Sequence, residues 1–120
     1  MKFCWTTIMV SNMERSLRFY RDLLGLPVQK IMRVDIGMEI VFLGEEETKV
    51  ELIFNDKIPN PAYTQNISMG FEVASLDETM NLMAANSIEV QGGPFQPNPH
   101  TKFFYVLDPD GVKIQFVENM

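Results

Sequence analysis

Residues 108–118 have the sequence DPDGVKIQFVE, in which a tight turn leads into a strand. The first four residues predict the turn because proline presets φ, aspartate bonds nearby backbone and glycine tolerates a positive φ. In the remainder, apolar side chains alternate with their neighbours, which is typical of a strand that buries one face. The buried face would carry Val112, Ile114 and Phe116, and the opposite face Lys113, Gln115 and Val117.

This strand has a counterpart in the first half of the chain. Lys113-Ile114-Gln115-Phe116 matches Lys49-Val50-Glu51-Leu52, and Val73-Ala74-Ser75-Leu76 matches Val10-Ser11-Asn12-Met13. Both matches occur in the same order and at nearly the same offset. The two halves therefore indicate a duplicated module.

Each half contains one predicted helix. Asn12 can cap a helix over residues 13–24, which Gly25 would end. Ser75 and Glu78 form a capping box for a helix over residues 76–86. The other apolar segments predict strands, which we place at residues 3–10, 28–35, 38–43, 49–54, 67–73, 89–91, 102–107 and 112–118.

Turn-forming residues separate these strands. Ile36-Gly37 is typical of a hairpin turn, and residues 44–48 are typical of a second one. The prolines between residues 94 and 99 predict an irregular loop.

These elements predict an α+β fold of two tandem β-α-β-β-β modules, which form a curved mixed sheet around a ligand cup. We expect a single domain over residues 1–120. If a chain of this length were divided into two independent domains, each would be too small for an adequate core. Module one would span residues 1–56, a linker residues 57–65 and module two residues 66–120.

Composition excludes several classes of partner. The formal net charge is −6, and the sequence contains no run of lysine or arginine. Nucleic acid and anionic membranes are therefore not expected partners. No stretch has the length of a membrane helix, and the N-terminus lacks the pattern of a signal peptide, so we expect a cytoplasmic protein. A cleft that shared the acidic sign of the chain would favour cationic ligands.

The only cysteine, Cys4, cannot form an intrachain disulfide, and strand parity predicts that it is a buried core thiol.

Strand parity also predicts a functional face. The apolar faces should pack on the helices, which leaves Trp5, Thr7, Glu51, Ser68 and Gln115 on the opposite, concave side. Trp5 is the only tryptophan, and a large aromatic residue among polar ones favours a ligand cavity over a merely solvated sheet face.

Three segments carry a resemblance to a known family. Residues 8–20 (IMVSNMERSLRFY), 23–26 (LLGL) and 108–115 (DPDGVKIQ) resemble the vicinal oxygen chelate superfamily, which includes glyoxalase I, bleomycin-resistance proteins and extradiol dioxygenases. The resemblance covers essentially the whole chain. It implies the glyoxalase-like fold and a homodimer, but it does not specify the reaction, because one fold hosts many chemistries.

The resemblance places four residues at the metal-ligand positions of glyoxalase I: Trp5, Glu51, Ser68 and Gln115. Zinc or nickel requires three or four nitrogen, sulfur or carboxylate ligands, and only Glu51 is a strong one. Tryptophan has no usable lone pair. We therefore expect no metal and no other cofactor. The only histidine, His100, precedes the seventh strand and is expected on the surface or at a pocket rim.

Relatives in the family that bind ligands without a metal imply an acidic and aromatic groove. Here it would be built from Trp5, Phe42, Glu51, Phe103 and Tyr105. Resemblance to fosfomycin-resistance enzymes adds ligand contacts for Thr7 and Tyr105. Glu51 is also the candidate general base, and the alternative is a hydrogen-bonded carboxylate next to Gln115. Lys49 and Lys113 could neutralise an anionic ligand, or their ammonium groups could extend into water.

Three functions remain open at this point. The first is a metal-free small-molecule-binding protein, acting in resistance or sequestration. The second is a glyoxalase-like lyase or isomerase of the lactoylglutathione lyase type, with a degenerate metal site or with Glu51 as base. The third is a protein-interaction module whose cup is vestigial.

Overall fold

The computed structural model describes residues 1–45 and 48–120, which form two compact units, Met1–Ala62 and Tyr63–Met120. Residues 46 and 47, in the middle of the predicted turn at residues 44–48, lie outside the described residues. Each unit contains one four-stranded mixed sheet and has the element order β-α-β-β-β. The predicted α+β class and its two modules are confirmed.

The first unit begins with a strand and a helix of mixed type. Its elements are β1 Trp5–Val10, α1 Met13–Leu17, a π-helix Arg18–Leu23, β2 Val28–Asp35, β3 Met38–Leu43 and β4 Lys49–Asn55. The sheet order is β1-β4-β3-β2, with β1 parallel to β4 and the other pairs antiparallel. The Asn12 Oδ1 atom accepts a hydrogen bond from the Arg15 backbone N–H at 2.9 Å, which confirms the predicted cap.

The predicted helix over residues 13–24 changes type after its first five residues. The Leu24 backbone N–H donates to the Phe19 carbonyl at 2.9 Å, and this spacing of five residues is that of a π-helix. The sequence predicted the extent of the helical segment but not its wider second half.

The second unit repeats the order of the first. Its elements are β5 Ser68–Glu72, α2 Leu76–Ala85, β6 Gly92–Asn98, β7 Thr101–Leu107 and β8 Lys113–Asn119, in the sheet order β5-β8-β7-β6. At the start of α2, Ser75 Oγ accepts from the Glu78 backbone N–H at 3.2 Å, as predicted. Glu118 Oε1 accepts from the Leu76 backbone N–H at 2.7 Å, which satisfies a further donor of the first turn.

The predicted strand at residues 89–91 and the predicted loop at residues 94–99 are both wrong. Strand β6 instead spans Gly92–Asn98 and includes Pro94 and Pro97. Proline is tolerated here because β6 is the edge strand of its sheet, where one side of the backbone needs no ladder partner. Its pairing with β7 is interrupted by two register shifts, which accommodate the residues that lack an N–H.

The predicted turn after β7 is confirmed in detail. Asp108 Oδ1 accepts from the backbone N–H groups of Asp110 and Val112, each at 2.8 Å. The Gly111 backbone N–H donates to the Asp108 carbonyl at 3.1 Å, and the φ of Gly111 is +92°. The turn therefore fixes the point at which β8 begins.

The cores confirm strand parity, with two exceptions at strand starts. In β1, β4, β7 and β8 the buried helix-facing residues are Ile8, Val10, Val50 and Leu52 in the first unit, and Phe104, Val106, Ile114 and Phe116 in the second. In β5 the corresponding Met69 and Phe71 are only half-buried. The prediction that Cys4 is a core thiol is wrong, because β1 begins at Trp5 and the Cys4 side chain is exposed. Ile67 is likewise exposed, one residue before β5.

Gly93 and Gly111 provide a matched test of packing in the second unit. Their φ values are +93° and +92°, but a Cβ at Gly93 would lie 3.0 Å from the Phe103 carbonyl oxygen, whereas one at Gly111 meets nothing within 4 Å. Gly111→Ala should cost about 1–3 kcal/mol of unfolding free energy through backbone strain alone. Gly93→Ala should cost about 2 kcal/mol more, because it also overlaps the backbone of β7. Urea denaturation measures both, and equal costs would contradict the close approach of β6 to β7.

Candidate functional site

The candidate site in the first unit is built on one row of its sheet. Glu51 in β4 pairs with Thr7 in β1 on one side and with Phe42 in β3 on the other. Residues paired across neighbouring strands project to the same face, so these three side chains share the face opposite the core. Trp5 pairs with Lys49 two residues earlier along the strands and lies on the same face.

Hydrogen bonding and ring contacts fix the side chains of this row. Thr7 Oγ1 donates to Glu51 Oε1 at 2.5 Å, and Glu51 is only 9% exposed. The rings of Trp5 and Phe42 meet edge to face, with centroids 5.3 Å apart and planes at 81°. Trp5 nevertheless remains 48% exposed. The carboxylate is thus a buried, hydrogen-bonded acceptor beside a half-exposed aromatic wall.

An open cavity of about 550 Å³ lies against this row, a size typical of small-molecule sites. Three predicted site residues line it, namely Trp5, Phe42 and Glu51. Its other lining residues are Lys2, Cys4, Gln29, Lys30, Met32 and Lys49. The structure brings Trp5, Phe42 and Glu51 of the predicted groove together in this unit, and the groove as a whole stays a prediction.

The lining residues that the sequence analysis did not single out come mostly from the edge strand β2 and the chain start. Lys30 pairs with Phe42, so its position follows from the β2–β3 register. That register contains two shifts, and simple alternation cannot locate them. Cys4 lines the cavity rather than the core, because the β1 ladder starts after it.

The second unit carries the remaining predicted site residues on the corresponding positions of its own sheet. Gln115 in β8 pairs with Gly70 and Tyr105, and Ser68 pairs with Lys113. Gln115 Nε2 donates to Tyr105 Oη at 3.2 Å.

Aromatic rings extend the row of Tyr105 along the same sheet. The centroid of the Phe103 ring is 5.7 Å from that of Tyr105, and the Phe95 ring follows at 5.5 Å from Phe103. Lys113 Nζ is 4.3 Å from the centroid of the Tyr105 ring, within the range of a cation–π contact. The second unit therefore combines aromatic rings with a cation.

Glu51 and Gln115 hold equivalent positions, as the internal repeat predicted. Each is the third residue of the last strand in its unit and pairs with the third residue of the first strand. In the first unit that partner is Thr7, which bonds the carboxylate, whereas in the second it is Gly70, which has no side chain. The convergence of Trp5, Glu51, Ser68 and Gln115 in one hollow stays a prediction.

The donor set does not fit the metal that the resemblance implies. Trp5 offers only an N–H, the oxygens of Ser68 and Gln115 are neutral, and Glu51 already accepts from Thr7. Across residues 1–45 and 48–120, no three His, Cys, Asp or Glu side chains lie close enough to hold a metal ion together. His100 is exposed in the turn between β6 and β7.

No helix of the described ranges is long and apolar enough to cross a membrane.

The fold and the two equivalent rows define a glyoxalase-like protein of two β-α-β-β-β modules. A sequence model of the Glyoxalase/Bleomycin resistance protein/Dioxygenase superfamily matches residues 2–116. The chain therefore belongs to this superfamily.

Sequence relatives include lyases, and solved structures of the same fold include a glyoxalase I and an antibiotic-binding protein. A lactoylglutathione lyase of Haemophilus influenzae is 29% identical over 131 aligned residues, which cover 99% of this chain and 93% of that protein. The trypanothione-dependent glyoxalase I of Leishmania major superposes with a TM-score of 0.85 at 23% identity, over 98% of this chain and 86% of that one. TnmS3, an antibiotic binding protein from Streptomyces sp. CB03234, superposes with a TM-score of 0.76 at 15% identity, over 100% and 97%. At 23% and 15% sequence identity, the two structural superpositions show the shared fold alone.

Proposed function

We propose that the protein is a metal-free, small-molecule-binding member of the superfamily, with a role in resistance or sequestration. The observation that carries this proposal is the placement of Trp5. The indole occupies the position that the family resemblance gives to the first metal ligand, and there it forms a wall of the cavity in the first unit. A side chain without a usable lone pair cannot hold a metal, but it offers a large flat surface to an organic ligand.

The surroundings of Trp5 support binding in the same way. The cavity is lined by two aromatic rings, one thioether, one thiol and five polar or charged side chains, so apolar walls and polar groups meet in it as they do in ligand pockets. Glu51 is held by Thr7 and can act as a fixed acceptor for a ligand N–H or O–H.

Metal titration tests the metal-free part of the proposal. We expect that nickel or zinc added to the purified protein leaves its melting temperature unchanged, and that the protein retains less than one metal per chain after desalting, because only Glu51 is a strong ligand. Weak binding at exposed His100 is controlled for by His100→Ala. One metal per chain that is lost in Glu51→Ala and kept in His100→Ala would overturn the proposal.

A second candidate is a lyase or isomerase of the lactoylglutathione lyase type. It is favoured by the 29% identity to such an enzyme over nearly the whole chain, and by the burial of the Glu51 carboxylate. Cleavage of lactoylglutathione, the compound in the relative's name, should be assayed with and without added nickel or zinc. Turnover that disappears in Glu51→Gln would establish this candidate in place of the first.

A further inference from the structure

The carboxylate in the cavity of the first unit has one oxygen occupied and one open. Thr7 Oγ1 donates to Glu51 Oε1 at 2.5 Å, and Glu51 is 9% exposed. Among residues 1–45 and 48–120, no group donates to Glu51 Oε2, and no fully buried side-chain oxygen or nitrogen lacks a partner, so Oε2 is reached by solvent. Because Glu51 lines the cavity, Oε2 is the acceptor that this residue offers to a ligand.

Thr7 determines what the carboxylate presents. Its hydroxyl hydrogen is directed at Glu51 Oε1, so the pair offers lone pairs to the cavity and no hydrogen. Strand β1 pairs with β4 in uninterrupted register, which holds Thr7 beside Glu51. A ligand N–H can therefore bond Oε2 without rearrangement of the site, whereas a ligand oxygen at the same place would face lone pairs.

The aromatic walls lie next to this acceptor. Phe42 is the cross-strand partner of Glu51, and the Cβ atoms of such partners lie about 4.5–5.5 Å apart. The Trp5 ring continues the wall, with its centroid 5.3 Å from that of Phe42. A flat ligand lying against the rings therefore brings its edge within reach of the Glu51 carboxylate.

Burial makes this hydrogen bond selective. A ligand on the rings displaces solvent from Glu51 Oε2, and a largely buried oxygen that is left without a donor costs more free energy than an exposed one. Hydrogen bonds to a carboxylate are also stronger than those between neutral groups. A site of this kind rejects analogues that lack the donor more strongly than it rejects changes in apolar size.

From this arrangement we infer that the cavity selects flat aromatic compounds with an N–H donor at the edge of the ring system, as in aromatic carboxamides. The inference rests on the proposed function and specifies its ligand. The ring lies against Trp5 and Phe42, and the N–H donates to Glu51 Oε2. Glu51 is then the residue that determines specificity, and no covalent step is involved.

Three neutral naphthalene derivatives test the inference: naphthamide, N,N-dimethylnaphthamide and methyl naphthoate. All carry a carbonyl group on the same ring system, and only naphthamide has N–H donors. NMR titration of the isotope-labelled protein should show naphthamide binding about tenfold more tightly than either analogue, because one hydrogen bond to a carboxylate is made or lost. The methyl groups add apolar surface, so burial alone would rank the analogues first.

Variants of Glu51 test which residue supplies the acceptor. In Glu51→Gln, which retains the shape, the preference for naphthamide over methyl naphthoate should fall to about threefold or less, because a neutral acceptor bonds more weakly. Glu51→Asp keeps the charge but withdraws the carboxylate by a methylene, and it should also lose most of the preference. The matched control is Glu39→Gln, a glutamate of β3 that does not line the cavity. A preference equal in Glu51→Gln and Glu39→Gln would overturn the inference.

Trp5 reports where naphthamide binds. It is the only tryptophan and lines the cavity, so its indole N–H gives a single NMR signal from the proposed site. This signal should shift during the titration with the same Kd as the backbone signals that respond. Saturation without a shift of the Trp5 signal would place the ligand elsewhere and overturn the inference.

The three compounds distinguish failure of this inference from failure of the proposed function. If methyl naphthoate or N,N-dimethylnaphthamide binds as tightly as naphthamide, the requirement for a donor is wrong while small-molecule binding stands. If none of the three binds, both the inference and the binding function fail for ligands of this shape.

Discussion

Replacing Phe104 with alanine is expected to lower the free energy of unfolding by about 3–5 kcal/mol. Phe104 is 0% exposed in β7, and the centroid of its ring is 5.3 Å from that of Phe116 in β8. The truncation removes a large apolar surface from the core of the second unit and leaves a cavity, because neighbouring strands relax only in part. Urea denaturation followed by circular dichroism measures the change.

Phe95 provides the matched control in the same unit. It is a phenylalanine in a β-strand too, but it lies in the edge strand β6 and is 49% exposed. Phe95→Ala should cost about 1 kcal/mol or less, since little surface is returned to water. If Phe104→Ala does not fold, Phe104→Leu should still show a loss of about 1–2 kcal/mol. Similar costs at positions 95 and 104 would contradict the assignment of the buried face of β7.

The largest effect on ligand binding is expected at Trp5. Trp5→Ala should raise the Kd for a flat aromatic ligand such as naphthamide about thirtyfold, because the half-exposed indole is the largest aromatic surface that the cavity offers to a ligand. Trp5→Phe should recover most of the affinity, because a ring remains to pack edge to face against Phe42. Calorimetric titration of both variants measures the change.

Phe3 controls for the loss of any exposed aromatic ring near the N-terminus. It is exposed, lies two residues from Trp5 and does not line the cavity. Phe3→Ala should leave the Kd within about twofold of the parent, as expected for a residue outside a binding site. A Trp5→Ala variant that binds as well as Phe3→Ala would place the ligand site outside this cavity.

Local chemistry made most of the fold predictable. Both helix caps, the Ile36-Gly37 hairpin and the turn at residues 108–111 depend on short-range hydrogen bonds and allowed φ values, which nearby residues determine. Strand β6 was missed because its prolines suppress a strand prediction, and only the sheet order shows that β6 is an edge.

The site was predictable where strands alternate regularly. Trp5, Thr7 and Glu51 share a face because β1 and β4 pair in uninterrupted register. Lys30 depends on the shifted register of β2, and Cys4 depends on where β1 begins, so tertiary pairing decides both positions. This explains why the aromatic wall of the cavity was predictable and the contribution of β2 and the chain start was not.

The Thr7–Glu51 and Gly70–Gln115 pairs occupy equivalent positions in the two modules, yet they differ completely in chemistry. These positions lie on the face of the sheet away from the core. A mutation there therefore changes what the surface can recognise without removing the apolar packing that keeps each half folded. Duplication thus leaves two independent places for functional drift on one stable scaffold. A lineage could replace side chains at these positions, change what the protein binds, and retain its architecture throughout.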